Sequence, residues 1–201
     1  LLIDINDQKK TEERIIYLAD HDALTGLYNR RRFQEELEHQ IAYSQRFNQA
    51  GSLLFIDLDQ FKYINDTLGH QAGDLLLQEV SRRLTGSVRE QDTVARLGGD
   101  EFTIILEDLT QPEDAATVAE KLLSTLQEKI VVEGNDLFIG GSIGISIFPN
   151  DGTIEEEIIK NADLAMYQAK QHGRNCYRFY TKALAKQANK RFQVENRLRL
   201  A

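Results

Sequence analysis

Residues 93–106 have the sequence TVARLGGDEFTIIL, in which two short apolar runs flank the tetrapeptide GGDE at 98–101. Paired glycines tolerate the positive φ angles that tight turns need, so this stretch predicts a β-hairpin. The turn then places two carboxylates, Asp100 and Glu101, at its tip.

Helices and strands are expected on both sides of this hairpin. Apolar spacing and an N-cap at Asn29 predict helices over 29–47, 61–68, 72–88, 112–128 and 154–171. The inward-facing stripes of the first and third helices include Tyr43 and Leu75. Apolar runs predict strands over 51–57, 93–97, 102–106 and 177–180, and a second hairpin that turns at Gly134-Asn135 and returns over 137–147. Hairpins mixed with helices indicate an α+β domain, a sheet with helices packed on it.

Composition limits the classes of ligand. The chain has 201 residues with 24 Lys+Arg and 32 Asp+Glu, a formal net charge of −8. This balance argues against a broad nucleic-acid surface, so an anionic ligand must be held by a few placed cations or by metal ions. The single cysteine, Cys176, suits a reducing compartment, and there is neither a signal-peptide pattern nor an apolar run near the ~18 residues of a membrane span. We expect a cytoplasmic domain, without membrane contact of its own, cut from a larger protein.

Three acidic residues are candidates for chemistry. Asp57 closes the apolar strand 51–57, where a carboxylate is costly unless it is paired or bound to metal. Together with Asp100 and Glu101 it would form a hard-oxygen site suited to Mg²⁺ or Mn²⁺, which bind carboxylates and substrate phosphates. Alternatively, Asp100 and Glu101 belong to a solvated turn and Asp57 only terminates its strand.

Four stretches carry a resemblance that favours the first interpretation. They are DALTGLYNRR at 22–31, DLDQFKYIND at 57–66 with Gly69-His70 and Gly73-Asp74, RLGGDEF at 96–102, and ADLAMYQAK at 162–170 followed by Gly173-Arg174-Asn175. In this order they resemble the GGDEF family, the diguanylate cyclases that condense two GTP into cyclic di-GMP. The resemblance implies a mostly antiparallel, palm-like central sheet similar to that of nucleotidyl cyclases and polymerases.

The resemblance also implies a metal site. Asp57, the backbone carbonyl of Leu58, Asp100 and Glu101 would hold two Mg²⁺ or Mn²⁺ ions per active half-site over the triphosphate. Such a pair stabilises the attacking and leaving oxygens when the 3′-hydroxyl of one GTP attacks the α-phosphorus of the other and pyrophosphate leaves. Asp100 is the candidate to help deprotonate that hydroxyl, and whether a distinct base is needed stays open.

Guanine recognition falls, by the same resemblance, to Asn65 and Asp74. A carboxylate that accepts from N1–H and the exocyclic amine selects guanine, because adenine lacks this pair of donors. Alternatively, Asn65 caps a turn and Asp74 starts a helix after Gly73. Gly98 and Gly99 would let the substrate lie close to the backbone, which is compatible with a plain type I′ turn.

Phosphate contacts are expected from Phe61 and Lys62, in a loop after the strand, through their backbone N–H groups. Lys62, Lys170 and Arg174 would add cations. Lys170 and Arg174 are four residues apart near a helix end, which predicts one shared face. The alternative for that pair is a favourable interaction with the helix C-terminus.

A regulatory site is expected at Arg89-Glu90-Gln91-Asp92, shortly before Gly98. In the family this R-x-x-D marks a product-inhibition site, in which Arg89 and Asp92 bind a guanine of cyclic di-GMP. The alternative is a surface turn with a weak ion pair. Because each domain would hold one GTP, two domains must face each other, and we expect a homodimer.

The two ends suggest neighbouring domains. Residues 1–18 resemble a linker helix from an upstream PAS-like domain, 19–181 are the catalytic domain, and 182–201 resemble a linker helix toward a possible EAL domain. A second function is therefore a GTP-binding regulatory module that controls a C-terminal cyclic di-GMP phosphodiesterase.

Other conspicuous residues receive ordinary interpretations. The arginines at 30–32 are expected to form a solvated cluster that pairs with Asp22. Met166 and Tyr167 are expected to pack within the fold rather than to contact a cofactor. The four histidines lack the spacing of metal ligands.

Overall fold

The computed structural model describes residues 17–184. The helices are α1 (Arg30–Phe47), α2 (Phe61–Leu68), α3 (His70–Ser87), α4 (Pro112–Gln127) and α5 (Glu155–Gln171). The strands are β1 (Ala50–Leu58), β2 (Thr93–Gly98), β3 (Glu101–Leu109), β4 (Ile130–Val132), β5 (Asn135–Leu137), β6 (Gly141–Phe148) and β7 (Cys176–Phe179). Residues 17–20 and 182–184 are also helical, and the rest of the two linker helices expected at the ends lies outside the described residues.

The main sheet has the strand order β2-β3-β1-β6-β7. β1 lies at its centre and pairs antiparallel with both β3 and β6. This confirms the α+β class and the mostly antiparallel sheet. The exception is β7, which pairs parallel with β6 because α5 carries the chain back across the sheet.

Both faces of the sheet are covered, so β1 is an apolar run rather than an alternating strand. Leu54 and Ile56 pack on the side of α3 and α4, whereas Leu53 and Phe55 pack on the side of α1 and α5. β6 approaches α5 closely at Gly144, where an added Cβ would lie 1.9 Å from the carbonyl oxygen of Ala162. This close approach brings the end of α5 next to the end of β1.

The predicted helices are present, but two side chains that were predicted to face the core are exposed. Asn29 caps α1 as predicted, since its Oδ1 accepts from the Arg32 backbone N–H at 3.1 Å. Tyr43 is 40% exposed, because at 100° per residue the buried stripe continues from Ile41 to Ser44 instead. Leu75 is also 40% exposed, because the buried stripe of α3 runs from Ala72 to Leu76.

The second hairpin differs from its prediction. Its turn is Glu133-Gly134, with φ angles of +48° and +82°. The predicted return strand over 137–147 is two strands: β5 ends at Leu137, and β6 starts at Gly141 in the other sheet. The polar β5 is mostly exposed and the apolar β6 is buried throughout, so the two cannot continue in one environment.

Candidate active site

The end of β1 brings three strands together around Asp57. Asp57 lies opposite Glu101 of β3 and Ser142 of β6, and directly opposed residues project from the same face of a sheet. The Lys170 Nζ is 2.7 Å from the Asp57 Oδ2. Burial raises the pKa of Asp57, as do the nearby charges of Asp100 and Asp59, while Lys170 opposes the rise. Negative charge is therefore concentrated at a place that is largely shielded from solvent.

The β2–β3 hairpin forms as predicted and sits beside Asp57. Gly98 and Gly99 have φ angles of +139° and +54°, and the register shifts between Arg96 and Gly98. In this turn positive φ is confined to the glycines, so it is not the type I′ turn considered above, which needs a positive φ at Asp100 as well. The backbone N–H of Leu58 donates to the carbonyl of Asp100 at 3.2 Å, which ties the tip to the end of β1.

Arg96 and Asp22 hold this hairpin through side-chain hydrogen bonds, a role that the sequence did not predict. Arg96 donates to the Gly99 carbonyl through Nε at 3.1 Å and Nη2 at 2.9 Å, and to the Asp22 Oδ1 through Nη1 at 2.9 Å. The same Oδ1 accepts from the Thr25 N–H and hydroxyl. Burial acts to raise the pKa of Asp22, but the hydrogen bonds from Thr25 and Arg96 outweigh it and lower that pKa. Asp22 and Arg96 both belong to the family motifs at 22–31 and 96–102, but their interaction becomes visible only in the structure.

The arginine cluster pairs differently from its prediction. Arg30 lies 3.8 Å from the Glu101 Oε2. Arg31 pairs with Asp20 and Glu35, and Arg32 with Glu35 and Glu36. The expected pairing with Asp22 is wrong, because Arg96 is nearer and largely buried at that carboxylate.

The residues around Asp57 fit a divalent cation that substrate completes. Within residues 17–184, no three His, Cys, Asp or Glu side chains are arranged to hold a metal ion by themselves. Mg²⁺ is commonly bound through one or two carboxylates plus substrate phosphates rather than by an all-protein cage. Asp57, Asp100 and the Leu58 carbonyl supply oxygen ligands only, and the ammonium of Lys170 already occupies this negative region. Glu101, beside Arg30, stays a predicted further ligand.

A groove of about 600 Å³ is lined on one side by Gln60, which directly precedes the predicted phosphate contacts Phe61 and Lys62. Phe61 and Lys62 form the first turn of α2 rather than a loop, and first-turn N–H groups lack intrahelical acceptors. Arg174 lines the other side but lies beyond the end of α5 with φ +62°. The shared helical face expected for Lys170 and Arg174 is therefore wrong, and Lys170 points to Asp57.

The two predicted guanine contacts are adjacent. A Cβ on Gly73 would lie 1.8 Å from the Asn65 Oδ1, so the absent side chain makes room for this amide. That Oδ1 is buried and has no hydrogen-bond partner in the described structure. Asp74 is exposed next to Gly73. It does not start the helix, because α3 begins at His70.

The R-x-x-D segment forms a turn beside a cavity. The Asp92 Oδ2 accepts the Arg89 backbone N–H at 2.9 Å, and Asp92 N–H donates back to the Arg89 carbonyl at 3.1 Å. The Arg89 side chain is exposed. Both residues line a cavity of about 650 Å³ that also borders Leu109 and Val118. A turn is thus present as the alternative stated, with Asp92 bonded to backbone rather than to the guanidinium.

Comparison with protein families gives one match across this architecture. The family model described as "Diguanylate cyclase, GGDEF domain" matches residues 19–176. The chain belongs to the GGDEF family. Divalent metal ions are generally used by this family.

Curated relatives of this GGDEF domain are much longer proteins. The bifunctional diguanylate cyclase/cyclic di-GMP phosphodiesterase MucR of Pseudomonas aeruginosa is 43% identical over 192 residues, 96% of this chain and 28% of MucR. The cyclic di-GMP phosphodiesterase NbdA of the same organism is 41% identical, over 92% of this chain and 23% of NbdA. The chain spans about a quarter of their lengths.

Two solved structures are covered by this GGDEF domain along most of their length. A GGDEF-only form of TpbB from Pseudomonas aeruginosa superposes with a TM-score of 0.82 at 36% identity, covering 84% of this chain and 99% of that one. DgcB from Caulobacter crescentus, with its coiled coil and in complex with c-di-GMP, has a TM-score of 0.78 at 26% identity, covering 88% and 93%. The palm-like cyclase fold is thereby confirmed. Between residues 17 and 184, no helix is long and apolar enough to cross a membrane.

Proposed function

We propose that this GGDEF domain condenses two GTP into cyclic di-GMP and releases two pyrophosphates. The observation that carries the proposal is the position of the hairpin tip. The Leu58 N–H to Asp100 carbonyl bond holds Asp100 next to Asp57, which is buried and faces the Lys170 ammonium. Family membership supports the same reaction.

The chain's residues divide the work of the displacement. Mg²⁺ or Mn²⁺, two per half-site, when bound by Asp57, the Leu58 carbonyl, Asp100 and Glu101, would neutralise phosphate charge and acidify the 3′-hydroxyl. The triphosphate lies between α2 and the end of α5. It is held there by the amides of Phe61 and Lys62 and by the cations of Lys62, Lys170 and Arg174. The 3′-oxygen of one GTP forms a bond to the α-phosphorus of the other, and the bond to pyrophosphate breaks. Asp100 lies at the tip as a candidate to take the hydroxyl proton.

Guanine selection and assembly complete the proposal. Asp74 accepts from guanine N1–H and the exocyclic amine, and Asn65 contributes its amide. The space beside Gly98 and Gly99 is open, since a Cβ added at either would meet nothing within 4 Å, so substrate has room to approach the backbone there. Because one domain holds one GTP, catalysis needs a homodimer, and the rate per domain falls when the protein is diluted below its dimerisation constant. Cyclic di-GMP bound at Arg89 and Asp92 inhibits the reaction.

The domain context is part of the proposal. We assign 1–18 to a linker from a PAS-like domain, 19–181 to the catalytic domain and 182–201 to a linker toward an EAL domain, in a cytoplasmic setting. A second function is a GTP-binding module that regulates a C-terminal phosphodiesterase. It is favoured by the likeness to NbdA, a cyclic di-GMP phosphodiesterase that is 41% identical over 92% of this chain.

The test is incubation of the domain with GTP and Mg²⁺, followed by chromatography for cyclic di-GMP and pyrophosphate. Asp100→Asn should abolish product. Asp136→Asn, at an exposed aspartate of β5 away from the hairpin tip and from the cavity at Arg89, is the matched control and should leave product formation unchanged. Product formed equally by Asp100→Asn and wild type would remove the catalytic assignment. GTP binding without product, combined with altered phosphodiesterase activity of the whole protein, would favour the regulatory module.

A further inference from the structure

A buried carboxylate next to the candidate active site has no role in the proposed reaction. Asp59 lies two residues beyond Asp57 and is 9% exposed. Its Oδ1 accepts from the Ser142 hydroxyl at 2.7 Å, and its Oδ2 accepts from the Asn175 backbone N–H at 2.9 Å. Its own N–H donates to the Gly140 carbonyl at 2.9 Å. Asp59 thus joins the end of β1 to the beginnings of β6 and β7, and both of its oxygens are engaged.

The segment that Asp59 holds has an unusual backbone. Arg174 and Asn175 have φ angles of +62° and +47°. L-residues disfavour this region, so two in succession persist only where the surroundings fix them. The bond from Asn175 N–H to Asp59 fixes one, and the Arg174 N–H donates to the Ala169 carbonyl at 3.2 Å. A Cβ on Gly140 would lie 3.1 Å from the Asp59 Oδ2, so glycine there permits the close approach.

The fixed segment presents Arg174 to the phosphate groove. Arg174, Asp59 and Gln60 line the same groove, and Gln60 is the N-cap of α2. We propose that Asp59 is a positioning residue: by accepting the Asn175 N–H, it fixes the turn that holds the Arg174 guanidinium toward the terminal phosphate of GTP. This inference rests on the proposed function, which places the triphosphate in the groove. Both oxygens of Asp59 accept hydrogen bonds from groups fixed by the fold, which favours this positioning role.

Two substitutions of Asp59 separate its hydrogen bonds from its charge. Asp59→Ala removes both acceptors. Asp59→Asn keeps an oxygen for the Asn175 N–H, and its amide can donate to the Ser142 hydroxyl, so the turn stays held while the charge is lost. The binding probes are 3′-deoxy-GTP, which lacks the attacking hydroxyl, and GMP, which lacks the leaving group. We expect Asp59→Ala to weaken 3′-deoxy-GTP about tenfold relative to GMP, the effect of losing one charged hydrogen bond. Asp59→Asn should keep the wild-type ratio.

Three further measurements make the role specific. Asp151→Ala is the matched control, because the Asp151 Oδ2 accepts the Ile147 N–H at 2.7 Å at the opposite end of β6. It should lower the melting temperature but leave the ratio of affinities unchanged. Arg174→Ala should lower the ratio as much as Asp59→Ala, and the double variant no further. Hydrogen exchange at the Asn175 amide should accelerate in Asp59→Ala only.

The inference is overturned if Asp59→Asn is as defective as Asp59→Ala, since the charge would then matter, or if folded Asp59→Ala keeps the wild-type ratio. Should Asp59→Ala fail to fold, Ser142→Ala removes one of the two donors. Ser142→Ala should weaken 3′-deoxy-GTP relative to GMP by less than the tenfold expected from losing both donors, and an unchanged ratio of the two affinities would count against the role. A wild-type domain that forms no cyclic di-GMP overturns the proposed function alone, because the two probes and the amide exchange need no turnover.

Discussion

The contact between Arg96, Asp22 and the hairpin allows a quantitative prediction. The Arg96 side chain is 10% exposed and makes hydrogen bonds both to the Asp22 carboxylate and to the Gly99 carbonyl. Arg96→Met keeps the apolar stem and removes these donors. Asp22, whose side chain is 22% exposed, is then left partly buried with only its bonds from Thr25.

The expected magnitude follows from the loss of one partner of a buried pair. Such a loss typically costs 3–5 kcal/mol, and we expect about 3 kcal/mol because Thr25 still satisfies part of the Asp22 carboxylate. For a domain of this size that corresponds to a fall in melting temperature of about 6–12 °C. Activity should fall further than stability explains, on the order of 100-fold at a temperature where the variant is folded, because the carbonyl next to Asp100 loses its support.

Thermal unfolding and cyclic di-GMP production measure the two effects. Arg82→Met is the matched control: Arg82 also pairs with a carboxylate, that of Glu79, at 2.7 Å, but its side chain is 72% exposed. Its melting temperature should hardly change, since exposed ion pairs contribute little. The double variant Asp22→Asn with Arg96→Met should be destabilised by less than the sum of the single variants. The reasoning is refuted if Arg96→Met is no less stable and no less active than Arg82→Met.

Three shorter predictions concern guanine, product and pH. Gly73→Ala places a methyl group against the Asn65 amide and should lower the ratio of GTP affinity to ATP affinity at least tenfold in a competition assay. Gly86→Ala, with open space around its Cβ, should leave that ratio unchanged. Arg89→Ala should bind cyclic di-GMP at least tenfold more weakly by calorimetry and lose feedback inhibition, and equal inhibition would reject the site. The lowered pKa of Asp22 contributes stability that is present above its ordinary pKa of 3.8 and is lost as the pH falls through the lower folded value. The deficit in melting temperature of Asp22→Asn should therefore be full at neutral pH and shrink below pH 3.8; a deficit independent of pH would contradict this.

Local signals in the sequence predicted most of the elements. The glycine-led hairpin and the cap at Asn29 depend on backbone chemistry within a few residues, and both are confirmed. The failures depend on partners far along the chain. Whether 137–147 is one strand or two is decided by β1, which takes β6 into the main sheet. The parallel pairing of β7 likewise depends on where α5 packs, which no local pattern encodes.

The candidate site shows the same division. Family motifs named the residues, but side-chain partners determine what each can do. Arg174 and Lys170 are four residues apart, yet the helix ends between them and they face different parts of the site. Arg96 lies two residues before the predicted turn and received no role from the sequence, because its function depends on Asp22, 74 positions earlier in the chain.

Asp57 and Asp59 are the sharpest case, because an alternating pattern treats them alike. Asp59 accepts from a hydroxyl and a backbone N–H, donors fixed by the fold, and is therefore committed to holding its neighbours. Within residues 17–184, Asp57 forms its ion pair with the ammonium of Lys170, a compact charge on a flexible stem that can move to a phosphate. We therefore expect Asp57 to bind the ligand and Asp59 to hold the local backbone in place. Asp57→Asn should abolish cyclic di-GMP formation, while Asp59→Asn, the same chemical change two residues away, should retain most of it. Equal losses in the two variants would mean that both carboxylates serve the ligand.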